Sequence, residues 1–208
     1  MQIKMFSDTI CGWCYIGKVK LDLALKELQL PNSVVTNLPF QLNPQMPETG
    51  MDRIDYIKNK FGSIENAKPM YDNMIMQGEQ ENLDIKLDKI KRTPNTVKSH
   101  ILIDAAKETK KENEVIFELF KNYFTFGKDI GDEKILLAIA KKYSLNESLI
   151  KDAFGLDENK KKINQMDLIA KQMGISGVPF YVFNDHVSIS GAQSVSTLKQ
   201  AIQKSVNG

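Results

Sequence analysis

The sequence predicts an α/β fold in which a β-α-β unit and a β-β-α unit are separated by a large all-helical insertion. Three observations predict it. Strand-like alternation appears only towards the two ends of the chain, helical periodicity dominates residues 44–173, and turn-forming residues mark both junctions. At 208 residues the chain is long enough for one large domain or for a small domain carrying an insertion.

Residues 2–7 alternate polar and apolar side chains and read as a first strand. Ser7-Asp8-Thr9 supplies cap-type residues before Val19, Leu23, Leu25 and Leu28, which recur at mostly helical spacing, so a helix starts at about Cys11. It stops near Leu30-Pro31-Asn32, and the β-rich run Val34-Val35-Thr36-Asn37-Leu38-Pro39-Phe40 is a second strand. Asn43-Pro44-Gln45-Met46-Pro47 then breaks any regular element.

Beyond that break, Met51, Ile54, Ile57 and Phe61 mark one helix, and Met70 and Met74 lie on another that ends before Gly78. Less regular sequence runs to Pro94. Asn95 is expected to cap a helix carrying Val97, Ile101 and Ala105, and Ile116, Leu119, Phe120, Tyr123 and Phe124 form the clearest amphipathic stripe. Asp132 caps another with Ile135, Leu136, Ile139, Ala140 and Tyr143. A short helix around Leu149, Ile150 and Phe154 leads to one carrying Ile163, Met166, Ala170 and Met173, stopped by Gly174. From Gly177 the β pattern resumes as Pro179-Phe180-Tyr181-Val182-Phe183, turns at Asn184-Asp185 and returns as Val187-Ser188-Ile189-Ser190. Ser194 or Ser196 opens a last helix with Val195, Leu198, Ile202 and Val206. The expected division is a sheet domain of residues 1–43 and 174–208, with residues 44–173 as the inserted helical domain.

Composition narrows the function classes. The chain is 42% hydrophobic and 26% charged, as soluble globular proteins are, and no segment approaches the roughly 18 apolar residues of a membrane span. Lys+Arg 28 against Asp+Glu 26 leaves a net charge of +2 with the lysines scattered, which argues against nucleic acid as a partner. The N-terminus Met1-Gln2-Ile3-Lys4-Met5-Phe6 lacks the order of a secretory signal, so a cytoplasmic location is expected.

Cys11 and Cys14 are the only cysteines. In a reducing cytosol, two cysteines at this spacing point to redox chemistry or to a metal. Cys11-Gly12-Trp13-Cys14 falls where the first strand hands over to the first helix, and the unpaired amides and dipole of a helix start stabilise a thiolate. Cysteines in such places ionise at about 3.5–7.5 instead of about 8.5. Cys11 is therefore the expected nucleophile, exposed over a shielded Cys14 that resolves the mixed disulfide, with Gly12 and Trp13 tuning the potential. Trp13, beside the cysteines, is also a candidate apolar substrate contact. A zinc-binding module is the non-catalytic alternative; its further ligands would have to be His100 and His186, which do not form a ligand-spaced pair, and no metal is expected.

Gly177-Val178-Pro179-Phe180 enters a strand at a proline, which donates no ladder hydrogen bond. Besides a plain strand start, this reads as a cis-proline loop in which the Val178 backbone turns towards the cysteines and pairs with an extended substrate.

The frame Asp8-Thr9-Ile10-Cys11-Gly12-Trp13-Cys14-Tyr15-Ile16-Gly17, with Gly177-Val178-Pro179-Phe180 and Ser190-Gly191-Ala192-Gln193, resembles the DsbA-like thioredoxin-fold family, most nearly its FrnE-type cytosolic branch. The resemblance spans nearly the whole chain. It implies a thioredoxin-like fold interrupted by a helical domain, and dithiol–disulfide exchange on Cys11 and Cys14 with Val178 and Pro179 binding substrate. It also implies protein or peptide disulfides as substrates and no organic cofactor, with glutathione or a thioredoxin-type system as redox partner. Two positions depart from the branch: Gly12 stands where proline is usual, and after Pro94-Asn95-Thr96 and His100, Ile101 stands where arginine is common. The same superfamily includes kappa-class glutathione transferases and hydroxychromene-carboxylate isomerases, which use a serine-type residue at the first-cysteine position. A glutathione-dependent transferase or isomerase is therefore the enzymatic alternative.

Overall fold

The computed structural model describes residues 1–207. The chain opens with strand β1 (Gln2–Ser7), helix α1 (Gly12–Glu27) and strand β2 (Val34–Pro39), as the alternation and the cap residues predict. It closes with β5 (Phe180–Phe183), β6 (Val187–Ser190) and α9 (Val195–Asn207). These strands form one sheet in the order β2-β1-β5-β6. β1 runs parallel to β2 and antiparallel to β5, so residues at the two ends of the sequence become neighbours in the middle of the sheet. The β5–β6 turn sits on Asn184 and Asp185, both with positive φ, the pair of left-handed residues that a tight hairpin demands.

Between the halves lie β3 (Met51–Asp52), α2 (Arg53–Phe61), α3 (Ile64–Gln80), a 3-10 turn at Leu87–Lys89, β4 (Arg92–Thr93), α4 (Val97–Ala106), α5 (Glu112–Phe124), α6 (Glu133–Lys142), α7 (Glu147–Gly155) and α8 (Asp157–Gln172). The insertion is helical apart from β3 and β4, a two-residue antiparallel pair too short to leave an alternation in the sequence. Met51 belongs to that pair. The helix expected from Met51 starts at Arg53 instead, because the Asp52 carboxylate accepts the Ile54 and Asp55 amides at 2.8 and 3.3 Å and caps it there.

α3 also runs past Gly78, where the sequence suggests a stop. Gly78 is a contact residue: a Cβ placed there would lie 2.6 Å from Ile85 Cδ1, so the missing side chain lets the following segment fold back onto the helix. Gly174 does end α8, at φ +84°.

Alternate residues of β1 serve the two faces of the sheet. Ile3 and Met5 enter the main core with Leu21 of α1 and Leu198 and Ile202 of α9, whereas Phe6 packs on the other face with Phe40, Ala170 of α8 and Ile175. The main core continues without a break into the insertion. Tyr15 of α1 stacks on Phe120 and Phe124 of α5, with ring centroids 5.3 and 6.1 Å apart, and meets Phe117 edge-on at 5.4 Å.

Because this aromatic cluster joins the helical segment to α1, Phe120→Ala should cost about 3–5 kcal/mol. Chemical denaturation followed by far-UV and near-UV signals together should still give one coincident transition, shifted to lower denaturant; two separated transitions would mean that the two parts unfold independently.

Candidate active site at the start of the first helix

Four residues separate the end of β1 from α1, and the backbone turns there on a hydrogen bond from the Cys11 amide to the Asp8 carbonyl at 3.0 Å. Cys11 is the N-cap of α1. Its Sγ accepts the Cys14 amide at 3.3 Å, doing what a serine oxygen does at this position. One turn further along, Cys14 lies under the helix start, wholly buried. The helix-start position of Cys11 predicts an exposed sulfur; in the structure the residue is buried, only 6% exposed. The cover includes the Val178 backbone, whose carbonyl accepts the Cys11 thiol at 3.6 Å. Trp13 is half-buried against the main core, so only part of it is available to a substrate.

The Val178–Pro179 bond is cis, and residue 178 meets residue 11 although 167 positions separate them in the chain. The register Phe6↔Phe180 makes this contact: it sets Val178 and Pro179 just beyond the paired segment, on the side where β1 leads into the cysteines. Gly17 makes the approach possible. A Cβ at Gly17 would collide with the Tyr181 hydroxyl and lie 2.9 Å from Pro179 Cγ. Gly12 is equally crowded, because a Cβ there would enter the space of Met74 Sδ and lie 2.9 Å from Met74 Cε. Met74 is 4% exposed and thus shuts one side of the cysteine loop.

The site is buried, and its ionisation follows from that. Burial pushes the Cys14 thiol well above the usual range, and the hydrogen bond and charge of Cys11 push it further. The Tyr181 phenol is raised by burial and then by the charges of Cys14 and Cys11. Its oxygen is buried without a hydrogen-bond partner.

Behind the cysteines lies a polar group of residues that spacing along the chain does not reveal. The Asp8 carboxylate is fully buried; Oδ2 accepts the Leu42 amide at 2.7 Å and Oδ1 faces His100 Nε2 of α4 at 3.7 Å. Thr9 Oγ1 and Ser99 Oγ, both buried, are 2.7 Å apart. The only sequence signal was the presence of Asp8 and Thr9 in the motif and of His100 on a core helix. His186, by contrast, lies exposed on the β5–β6 hairpin, next to Asn184, which bonds the Gln2 end of β1. The two histidines therefore do not converge on the cysteines, and among the described residues no group of three His, Cys, Asp or Glu side chains is arranged to hold a metal.

A four-stranded sheet interrupted by a helical insertion, with a Cys-x-x-Cys pair at the first helix start facing a cis-proline loop, defines a thioredoxin-type scaffold. The chain belongs to the family of DSBA-like thioredoxin domains, which its residues 2–203 match. Among solved structures it is similar to SCO1869, a probable DsbA oxidoreductase of Streptomyces coelicolor, with a TM-score of 0.89 at 24% identity over 100% of this chain and 90% of that one. A 2-hydroxychromene-2-carboxylate isomerase superposes with a TM-score of 0.75 at 10% identity, over 98% and 95% of the two chains. The cytosolic disulfide reductase DsbM of Pseudomonas aeruginosa, known also in a structure with GSH, gives 0.66 at 14% identity over 100% and 96%. Such likenesses establish the fold. Among the described residues no helix is long and apolar enough to cross a membrane.

Proline fits the first helical position of α1 on backbone grounds, so the cost of Gly12→Pro should come from Met74. The substitution should destabilise the protein by about 1–3 kcal/mol. In a Met74→Ala background that cost should shrink to a fraction, which a denaturant double-mutant cycle will read; an unchanged cost would mean that Met74 is not the obstacle.

The raised Cys14 thiol carries a second expectation. A thiol with a raised folded-state pKa contributes its full stability while both states hold the proton, and loses it once the unfolded chain begins to ionise. The reduced protein should therefore weaken as pH climbs past about 8.5. Melting curves of reduced wild type and Cys14→Ala between about pH 8 and 10 should converge as pH rises. A gap that is constant across the range would contradict the assignment.

Proposed function

We propose that this protein catalyses dithiol–disulfide exchange on protein or peptide substrates, with Cys11 as nucleophile and Cys14 as resolving residue. The observation that carries the reading is the seating of Cys11: its sulfur caps α1, touches the Val178 carbonyl and lies one turn from a buried Cys14. In the reducing direction the Cys11 thiolate attacks one sulfur of a substrate disulfide, and the other substrate sulfur leaves with the bonding electron pair. Cys14 then gives up its proton and attacks Cys11 Sγ, the second substrate sulfur departs as a thiolate, and a Cys11–Cys14 disulfide remains. A thiol donor returns the pair to the reduced state, and the oxidising direction runs the same steps backwards.

The backbone of Val178 and Pro179 docks the substrate as an added strand. Val178 already offers its carbonyl to the Cys11 sulfur, the position a substrate sulfur's neighbouring backbone would reach. Gly12 and Trp13 set the redox potential through the contact with Met74 and through packing on the core. The similarity to DsbM supports glutathione as a redox partner and the cytosol as the setting. No metal or organic cofactor enters the scheme.

Insulin reduction, or oxidation of a reduced peptide, tests the assignment. Cys11→Ser should abolish turnover, whereas Cys14→Ser should accumulate covalent mixed disulfides visible on non-reducing gels. Equal, partial losses in both variants would argue against divided roles. A glutathione-conjugating or isomerising activity that survives Cys14→Ala would instead favour the transferase-type alternative, since activating glutathione's thiol needs a single position.

A further inference from the structure

We propose that Arg53 and Lys60 of α2, together with Tyr56 and Asn43, form a subsite that binds a carboxylate of the substrate polypeptide beside the disulfide being exchanged. This rests on the exchange reading and adds to it a substrate class, an acidic segment.

The cluster starts from one helix face. Positions 53, 56 and 60 follow one another at i, i+3 and i+7, so Arg53, Tyr56 and Lys60 form a single stripe along α2. The Arg53 guanidinium lies over the rings of Tyr56 and of Tyr71 on α3, 5.4 and 5.3 Å from the centroids, and Lys60 Nζ lies 5.3 Å from the Tyr56 centroid. Their hydrogen bonds go to neutral groups. Arg53 donates to the Tyr71 hydroxyl at 3.0 Å and to Thr93 Oγ1 of β4 at 3.2 Å. Lys60 donates to the Tyr56 hydroxyl at 2.8 Å, and that hydroxyl also bonds the Asn43 amide group.

The stripe lacks a negative charge. Neither cation has a carboxylate within ion-pair distance among the described residues, and neighbouring Asp52 uses its carboxylate on the Ile54 and Asp55 amides. Cations elsewhere in the fold are matched: Lys20 meets Glu81, Lys98 meets Glu133 and Lys171 meets Asp167. The tyrosines do not fill the gap. Burial raises the Tyr71 and Tyr123 phenols against the opposing charge of Arg53, so both keep their protons at neutral pH. A guanidinium carries five N–H donors in a rigid fork, and two hydroxyls leave most of that fork for a planar anion. Arg53 is half-buried, where a charge without a counter-charge is costly and an arriving carboxylate offsets the cost.

The surroundings fit a side chain with an apolar stem and a charged end. A cavity of about 340 Å³ adjoins the stripe, lined by Met46, Pro47 and Met51 as well as Asn43, Tyr56 and Lys60. Two ties place it beside the cysteine loop. Asn43 follows Leu42, whose amide binds the Asp8 carboxylate at 2.7 Å, and the Asp8 carbonyl holds the Cys11 amide at 3.0 Å. Tyr71 lies one turn of α3 before Met74, which packs on Gly12. An extended substrate advances about 3.3 Å per residue, so a carboxylate a few residues from the reacting sulfur reaches the stripe.

The probes are peptide disulfides that carry glutamate, glutamine or lysine at one position, moved residue by residue away from the cysteine. At low salt and at the best position, kcat/KM should favour glutamate over glutamine by about tenfold, the scale of one charge-assisted hydrogen bond, with lysine slowest. Added salt should reduce that preference. Arg53→Met and Lys60→Met should each bring the glutamate-to-glutamine ratio towards one, a readout that a general loss of packing does not move. Lys60 is exposed, so Lys60→Glu gives an independent reading if Arg53→Met does not fold, and it should turn the preference towards the lysine peptide. Equal kcat/KM for the three peptides at every position, or a ratio unchanged in the folded variants, overturns the subsite. Reduction of a small uncharged disulfide by the wild-type protein, lost in Cys11→Ser, tests the exchange reading separately, because such a substrate offers the subsite nothing to bind.

Discussion

The pairing of β5 with β1 is the constraint on which the site depends. β1 delivers the cysteines, β5 delivers Val178 and Pro179, and the register Phe6↔Phe180 brings residues 11 and 178 within one hydrogen bond of each other. Everything between the two strands has to close that gap. Residues 44–173 do so by forming a helical body that returns the chain to the edge of β1 opposite β2 and shares a core with it through Tyr15, Phe120 and Phe124. Loop-closure entropy grows only slowly with length, so so long an excursion is tolerable when its own packing is good.

Much of this organisation is legible in the residues themselves. Ser7-Asp8-Thr9 before an apolar periodicity marks the helix start, two cysteines one turn apart there mark a candidate site for redox chemistry or a metal, and a proline at a strand entrance announces an unusual backbone. What escapes the sequence is whatever depends on contact between distant segments. Gly78 looks like a helix stop because its reason for being glycine, the approach of Ile85, is a tertiary contact. β3 and β4 are two residues each and leave no periodicity. Cys11 reads as exposed because the segment that covers it lies 167 residues away.

Two glycines of the motif show how small side chains specify this site. Gly17 admits Pro179 and Tyr181 against α1, so the loop and the cysteines can share one face. Gly12 admits Met74 from the insertion, where the related branch usually has proline. A proline ring would stiffen the helix start by itself; here the restraint comes from a methionine on a different element. Methionine is unbranched and polarizable and adapts to irregular space. The cysteine loop of this chain is thereby packed against α3.

Burial sets the chemistry open to the site. Burial keeps Cys14 protonated and lets the Cys11 sulfur find its donors and acceptors in the backbone, since electrostatic interactions strengthen where water is excluded. The same exclusion means that no proton enters or leaves without a protein group to carry it. Unpaired polar atoms lie around these cysteines, contributed by the turn after β1, by α4 and by β5. They come from both halves of the chain and from the insertion, so the helical segment lines the candidate site as well as covering it.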